Sequence, residues 1–511
     1  MSVSKIQPFR GLTLALLTLS LSLGTFMMVL DYSIANVSIP YIAGDLGVSD
    51  TNGTWVITCF AAGNAIGLPL TGFISDRFGS VRTFVASIIL FTLFSWFCAA
   101  AFNFPMLLIS RFFQGFFAGP LIPLSQSLLL VFYPPAKRKL ALAIWSAVVV
   151  VGPILGPILG GYLTYNYVWR WIFYINIPFG VIAAWITWQL ARMNDTEPVK
   201  RNIDFIGLSL LAIGVTCLQV MVDNGQQYDW FRSDMIWTLM IGSFIGFIFL
   251  IIWQLTSHDP LIDLTLFKNR NFAVGTFVTA VAYMLFFGNM VVLPLWLQEF
   301  MGYTAQWAGF ALAWMGFLPL ALMPLLVKLM QKYSLRPIVG LCMTLFFATF
   351  MSFSFFTPQV GFEFVALSRF CLGLPIAFYM APLATLTLAR LPPEKLAMGS
   401  GIFHFVRIFF GGVGTSLITT LWERRTIFHH FNLASTQTPF NPMTQSVLHL
   451  LDQVHLTGKR GLDALNMLVD QQAALLALND VFWVSAWCFV PLIGLTFLFK
   501  RRPQFDPDKA H

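Results

Sequence analysis

The chain alternates long apolar runs with short polar stretches. Apolar runs predict helices near 11–35, 54–74, 83–103, 106–132, 139–163, 171–192 and 205–222, and again near 236–256, 272–295, 306–329, 337–357, 362–388, 396–421 and 479–499. About 20 apolar residues in a helix cross the hydrocarbon of a bilayer, so the pattern predicts fourteen crossings and an all-α polytopic membrane protein. Lys5 and Arg10 precede the first run and no small-residue cleavage site follows it, which reads as a retained span rather than a signal peptide.

Composition agrees with this. Of 511 residues, 57% are hydrophobic and only 10% charged, against roughly a quarter charged in a soluble domain, so a soluble fold is excluded. The net charge of +8 comes with no contiguous basic tract, which argues against nucleic acid as a partner. The basic residues alternate between loops instead. With the N-terminus inside, 21 of the 30 Lys and Arg fall on the inner side and six on the outer, as the positive-inside rule requires of cytoplasmic termini. Three lie within spans: Arg111, Arg369 and Arg407. The six cysteines sit singly in apolar runs, without metal-ligand spacing or a disulfide pattern.

An offset of 258 residues aligns Ser110-Arg111-Phe112 and Gly115 with Ser368-Arg369-Phe370 and Gly373, Pro134-Pro135-x-Lys137 with Pro392-Pro393-x-Lys395, and Gly156 with Gly414. Spans 4 and 5 thus recur as spans 12 and 13. The expected organisation is an N-terminal six-helix bundle (1–193), a linker with two inserted transmembrane helices (194–270), and a C-terminal six-helix bundle (271–511) with a long outer loop at about 422–478. Parallel repeats of this kind occur in rocking transporters, whose substrates bind near mid-membrane between the halves.

Charged groups inside such spans are costly and therefore informative. Asp31 stands towards the end of span 1. It is read either as a proton site facing a water-filled cavity or as an end residue solvated from outside. Arg111 in span 4, followed by Gln114 and Gly115, is its natural partner; the alternative is a structural or snorkelling cation. Between spans 2 and 3, Gly72, Asp76, Arg77, Gly79 and Arg82 form a basic loop that could gate the cytoplasmic side. There Gly72 would let helices approach, Asp76 would pair or cap, and Gly79 would turn the chain. In span 5, Gly152, Pro153, Gly156, Pro157, Gly160 and Gly161 make a small-residue face with two bending prolines, which packing alone would also explain. Asn36, Gln114, Gln126, Asn289, Phe378, Tyr379, His404 and Arg407 are candidate substrate-cavity residues. Within the outer loop, apolar spacing predicts two amphipathic helices joined at Gly458-Lys459-Arg460-Gly461. No phosphate-binding, zinc-protease or nucleophile-elbow motif is present, so neither an enzyme nor a metal site is expected, and protons take the place of a cofactor.

Together, the Asp31 motif, the Gly72–Arg82 loop, Arg111-x-x-Gln114-Gly115, the Gly-Pro span and Trp169-Arg170-Trp171-Ile172-Phe173-Tyr174-Ile175-Asn176-Ile177-Pro178 resemble the fourteen-span drug/proton antiporters of the major facilitator superfamily. Gly119-Pro120, the Tyr133–Arg138 loop and Asp229-Trp230-Phe231 are most similar to EmrB-type multidrug exporters. The resemblance implies the major facilitator fold in a bacterial inner membrane. It also implies proton-driven export of hydrophobic or amphipathic drug-like substrates, an EmrA-type periplasmic adaptor and a TolC-type outer-membrane channel. An importer or proton symporter of the same fold, and a non-transporting membrane sensor, are the rival readings.

Overall fold

The computed structural model describes residue 9 and residues 11–134, 137–195, 204–257, 260–391, 395–453 and 455–500. Among these residues every regular element is helical. The long helices are α1 Gly11–Val37, α2 Asp50–Phe78, α3 Ser80–Ala99, α4 Phe104–Phe132, α5 Arg138–Asn166, α6 Trp171–Asn194, α7 Phe205–Asn224, α8 Asp234–Thr256, α9 Arg270–Glu299, α10 Ala305–Met330, α11 Leu335–Phe353, α12 Phe362–Leu388, α13 Leu396–Thr436 and α14 Gly458–Thr496. Thirteen are long and apolar enough among the described residues to cross a bilayer. The fourteenth expected crossing coincides with the 29-residue α5. The fourteen-helix expectation therefore holds.

Local chemistry starts these helices where the polar breaks predict. Asn103 accepts from the Met106 amide (2.9 Å) with Pro105 in the first turn of α4, and Thr304 accepts from the Trp307 amide (3.3 Å) to open α10. At the start of α7, Asp204 accepts from the Gly207 amide (2.8 Å). It also holds the Trp253 indole (2.7 Å) and the Gln254 amide (2.9 Å) of α8, so one carboxylate both caps a helix and closes the inserted hairpin.

The share of each span buried inside the protein places it in the bundle. It is 78% for α2 and α9 but 33% for α7 and 22% for α8. The inserted pair therefore lies at the periphery, turning Phe244, Ile245, Phe249 and Ile252 outward, as a lipid solvent permits. Helices α1–α6 and α9–α14 form the two halves. They meet along a seam where α2 faces α13 and α5 faces α10.

The seam is not uniform. A Cβ added at Gly412 would lie 3.0 Å from that of Ala61. Eleven residues further along each helix, three turns on and hence on the same faces, Gly72 and Gly401 have nothing within 4 Å. The two helices splay towards the end that carries Gly79. Gly72 was expected to serve close helix approach; it instead borders open space.

At the other end, α13 and α14 run on for 41 and 39 residues. At about 1.5 Å per residue each is near 60 Å long, roughly twice the hydrocarbon thickness. The stretch at 422–478 is accordingly mostly helix. Between the two extensions lies the short helix Pro442–Gln453. The expected turn at Gly458–Gly461 is instead the first turn of α14, and the chain reverses just before it, where His455 has φ 63°. Val454 lies outside the described residues. The extensions persist because they hold each other. Asp480 pairs with Arg425 (2.5 Å) and His429 (2.7 Å), Asp470 with His430 (2.7 Å), and the Trp422 indole donates to the Ala474 carbonyl (3.1 Å).

Candidate functional site

Close backbone contact between α2 and α4 sets the site. A Cβ at Gly63 would stand 1.9 Å from the Phe112 carbonyl oxygen, and one at Gly115 would stand 2.0 Å from that of Phe60. Only hydrogen fits at either position. This approach lets Arg111 donate from Nε to the Val56 carbonyl (2.9 Å), with its guanidinium 4.4 Å over Phe60 and 5.3 Å over Phe173. Its Nη1 donates to Gln114 Oε1 (2.8 Å) and to Asp31 Oδ2.

The second oxygen of Asp31 accepts from Gln114 Nε2 (3.1 Å) and Asn176 Nδ2 (2.9 Å). Asn176 is itself held by Ser95 Oγ (3.0 Å), which donates to the Phe173 carbonyl (2.9 Å). Asp31 and Arg111 are 0% and 1% exposed. The expected pair therefore forms, with Gln114 in it. The expectation that Asp31 faces a water-filled cavity is corrected, because three donors enclose the carboxylate within the N-terminal half. Asn176 and Ser95 were not foreseen as site residues. Asn176 stood in a quoted motif, and its one readable signal was an amide inside an apolar span.

The neighbouring side chain looks the other way. Tyr32 lies 5.7 Å from Phe60 and stacks at 4.4 Å on Phe287 of α9, across the seam. Phe287 stacks on Tyr283 (5.6 Å), over which Arg407 of α13 lies at 5.1 Å. An aromatic file ending in a cation thus crosses between the halves. Of the candidate cavity residues, Arg407 belongs to it, and His404 sits one helical turn away. Arg407 Nε and His404 Nδ1 have no hydrogen-bond partner among the described residues. Tyr379 donates to the Thr279 carbonyl (3.2 Å) within the C-terminal half, where Phe378 is also buried. Asn289 donates to Ser485 Oγ (2.9 Å), Gln114 belongs to the Asp31 network, Asn36 is buried at the end of α1, and Gln126 is half-buried in α4. Arg407 Nη1 donates to Met380 Sδ (3.4 Å), beside Phe378 and Tyr379, so Arg407, His404 and Tyr379 lie together in the C-terminal half, whereas Gln114 lies in the Asp31 network of the other half.

The 258-residue offset places Asp31 on Asn289 and Arg111 on Arg369. Arg369 is fully buried over Phe353 (4.2 Å), and both its Nη atoms lack a hydrogen-bond partner among the described residues. The C-terminal half keeps the cation and has an amide in place of the acid.

In the loop between α2 and α3, Gly79 has φ 94°, and an added Cβ would come 2.4 Å from Asp195 Oδ2. Asp195, at the end of α6, accepts from the amides of Val81 (2.8 Å) and Arg82 (3.2 Å) and lies 3.7 Å from Arg82 Nε. The cap on α3 thus comes from a residue more than a hundred positions away, which the sequence reading did not foresee. Arg77 is exposed beside Phe78, and Asp76 is half-buried near the end of α2.

In α5, added Cβ atoms at Gly152, Gly156 and Gly160 would meet Val29 Cγ1 (2.7 Å), Ser33 Oγ (2.0 Å) and the Ile34 carbonyl (2.4 Å) of α1. At Gly161 one would meet the Ala305 carbonyl (2.3 Å) of α10, and the Pro157 carbonyl fills the space at Gly309 (2.1 Å). The glycine face therefore seats the helix that carries Asp31 and, one residue on, the opposite half. The side chain of Pro153 lies outside the described residues.

Residues 21–415 match the Major Facilitator Superfamily profile. The chain belongs to the major facilitator superfamily. Among its curated relatives, "Multidrug export protein EmrB" of Escherichia coli (strain K12) is 44% identical over 495 residues, covering 97% of each chain. "Fatty acid resistance protein FarB" of Neisseria gonorrhoeae is 42% identical, covering 96% of this chain and 97% of that one. Among solved structures, a bacterial homologue of the human lysosomal transporter Spinster has a TM-score of 0.62 at 16% identity, covering 96% and 98%. This likeness is one of fold. As a major facilitator, the molecule is a multi-pass membrane protein, and the buried Asp31–Arg111 network lies in the half whose α5 glycines pack against α1.

Proposed function

We propose that this major facilitator exports hydrophobic and amphipathic toxic compounds in exchange for protons. The observation that carries the reading is Asp31: a carboxylate sealed in the N-terminal half by Arg111, Gln114 and Asn176, adjoining Tyr32 on the seam. A proton on Asp31 cancels the charge that binds Arg111. The guanidinium then keeps the Val56 carbonyl, Gln114 and two aromatic faces, and the hold of α4 on α1 weakens. Tyr32 moves with α1, so a change of charge inside one half is felt at Phe287 in the other.

One proton entering per uncharged substrate, at 100 mV and one pH unit, supplies about 2.3 plus about 1.4 kcal/mol, whereas exchange for a monovalent cation draws on the pH difference alone. For the uncharged substrate that sustains a gradient of a few hundredfold. The relatives, a multidrug export protein and a fatty acid resistance protein, point to the cargo class. The alternating basic loops favour a cytoplasmic side for both termini and the Gly79 loop, and the bacterial relatives favour an inner membrane. The α13–α14 extensions then project into the periplasm as the place for an adaptor leading to an outer-membrane channel.

Proteoliposomes test this. Addition of a lipophilic cationic dye to energised vesicles is expected to release protons from the lumen as dye accumulates. Dye movement without proton movement would overturn the coupling, and accumulation in the opposite sense relative to the proton gradient would favour the symporter.

A further inference from the structure

The inserted hairpin reaches both halves at one point. Near the end of α7, Asp223 accepts from Thr58 Oγ1 of α2 (2.8 Å), from Gln219 Nε2 one turn earlier (3.0 Å) and from Ser416 Oγ of α13. Gln219 Nε2 also donates to Ser416 Oγ (2.9 Å). One turn along the seam lies the tight Ala61–Gly412 contact, and Gln219 Oε1 stands 3.2 Å from where a Gly412 Cβ would be. Just beyond α7, Gln226 accepts from Arg424 Nε (2.5 Å), whose guanidinium lies 5.6 Å over Trp230. The hairpin is thus pinned to α13 above and below the acid, while Thr58 ties the same acid to α2.

An acid inside a membrane span is expensive unless it is partnered or used. Here the direct partners are neutral donors drawn from three helices, two of which belong to opposite halves. We propose that Asp223 is the positioning residue through which the inserted hairpin acts in transport, a clasp that joins α2 to α13 at the end opposite Gly79. Rocking that opens this end must part α2 from α13. Thr58 and Ser416 then cannot both reach one carboxylate, and since Gln226 and Trp230 keep the hairpin on α13, Thr58 is the arm that lets go. The clasp sets how readily the outer end opens, while the seam at Ala61–Gly412 sets where it closes. The inference rests on the transport reading only in assuming that the halves rock.

Spin labels at Asn52 and Ile427, on the α2 and α13 sides of this end, in a cysteine-replaced chain in nanodiscs, report the separation by electron–electron double resonance. Asp223→Ala is expected to enlarge the long-distance population about fivefold, the factor that one lost hydrogen bond supplies. Thr58→Val and Ser416→Ala should each shift it in the same direction and add little once Asp223 is gone, whereas Asp223→Glu should restore much of the parent distribution. If Asp223→Ala does not fold, Thr58→Val, which leaves the carboxylate partnered, carries the test. Unchanged distances in Asp223→Ala and Thr58→Val would overturn the clasp. The measurement needs no transport, so absence of proton release from the parent protein would sink the antiport reading and leave this one standing.

Discussion

Asp31 and Tyr32 are consecutive residues with opposite partners: the carboxylate closes on Arg111 inside the N-terminal half, and the phenol ring stacks on Phe287 of the other half. The carboxylate proposed to take up the proton and the ring that meets the other half share one turn of α1. Communication between them needs no intervening relay.

Asp31→Asn removes the charge and keeps one acceptor oxygen, enough for Arg111 or for the Gln114–Asn176 side but not for both. Expression in the membrane is expected to persist, with proton-coupled export lost. Full drug resistance in cells carrying this variant would remove Asp31 from coupling. Arg111→Ala should also abolish coupling, and at a cost of about 3–5 kcal/mol because a buried carboxylate loses its partner. Arg111→Lys, lacking the planar fork, should keep part of the activity.

Tyr32→Leu keeps an apolar body but loses the stack on Phe287. Proton release per dye molecule should fall before dye binding does, since the Asp31 network is untouched. Comparing the stoichiometry with the binding isotherm checks this, and an unchanged ratio would place the coupling elsewhere.

Arg369 offers the contrast within one chain. It lies buried without a hydrogen-bonded carboxylate among the described residues, so Arg369→Met removes a charge left uncompensated there and replaces it with an apolar side chain of similar length. Thermal unfolding in detergent should be unchanged or shifted upward, with transport retained, against a clear loss for Arg111→Met. A fall of similar size in both variants would show that Arg369 has a charge partner in another conformation.

Gly79→Ala forces a residue with a Cβ into φ 94° and against Asp195. The cap on α3 should loosen, and amide exchange in residues 80–83 should accelerate. Asp195→Ala should do the same without backbone strain. Normal exchange in Asp195→Ala would mean that the cap contributes little.

Asp45, outside the spans, receives the Trp169 indole N–H (2.9 Å) and the Arg170 guanidinium (2.8 Å), which hold its carboxyl below the usual range. A depressed pKa gives a contact that is complete above the unfolded value of about 3.9 and is lost only as pH falls through the lower folded value. The fluorine resonance of 5-fluorotryptophan at 169 should therefore hold steady from pH 8 to about pH 5 and move only in stronger acid. In Asp45→Asn it should stay constant throughout. Because the pair is exposed, its effect on overall stability should be small.

The fold was legible because apolar run length and basic-loop alternation are dictated by the bilayer, which leaves few alternatives. The Asp31–Arg111 pair was legible for a related reason: two opposite charges in spans of one half have to answer for each other. Asn176 and Ser95 were not, since a neutral amide or hydroxyl in a span has many ways to be satisfied. Asp223 escaped because the apolar run was read as ending at residue 222, whereas α7 continues to Asn224. One position turned a helical acid into a loop acid. Asp195 escaped because capping is usually local, and here the cap arrives from the far end of another helix.

The paired rods of α13 and α14 have a mechanical corollary. A rigid arm near 60 Å long, pivoting about its inner end, carries its tip sideways by about 1 Å for every degree of tilt. Under the proposed rocking, anything resting on that tip would be pushed at each turnover, a way for the C-terminal half to signal its state to a neighbour well beyond the headgroups without bending any part of itself.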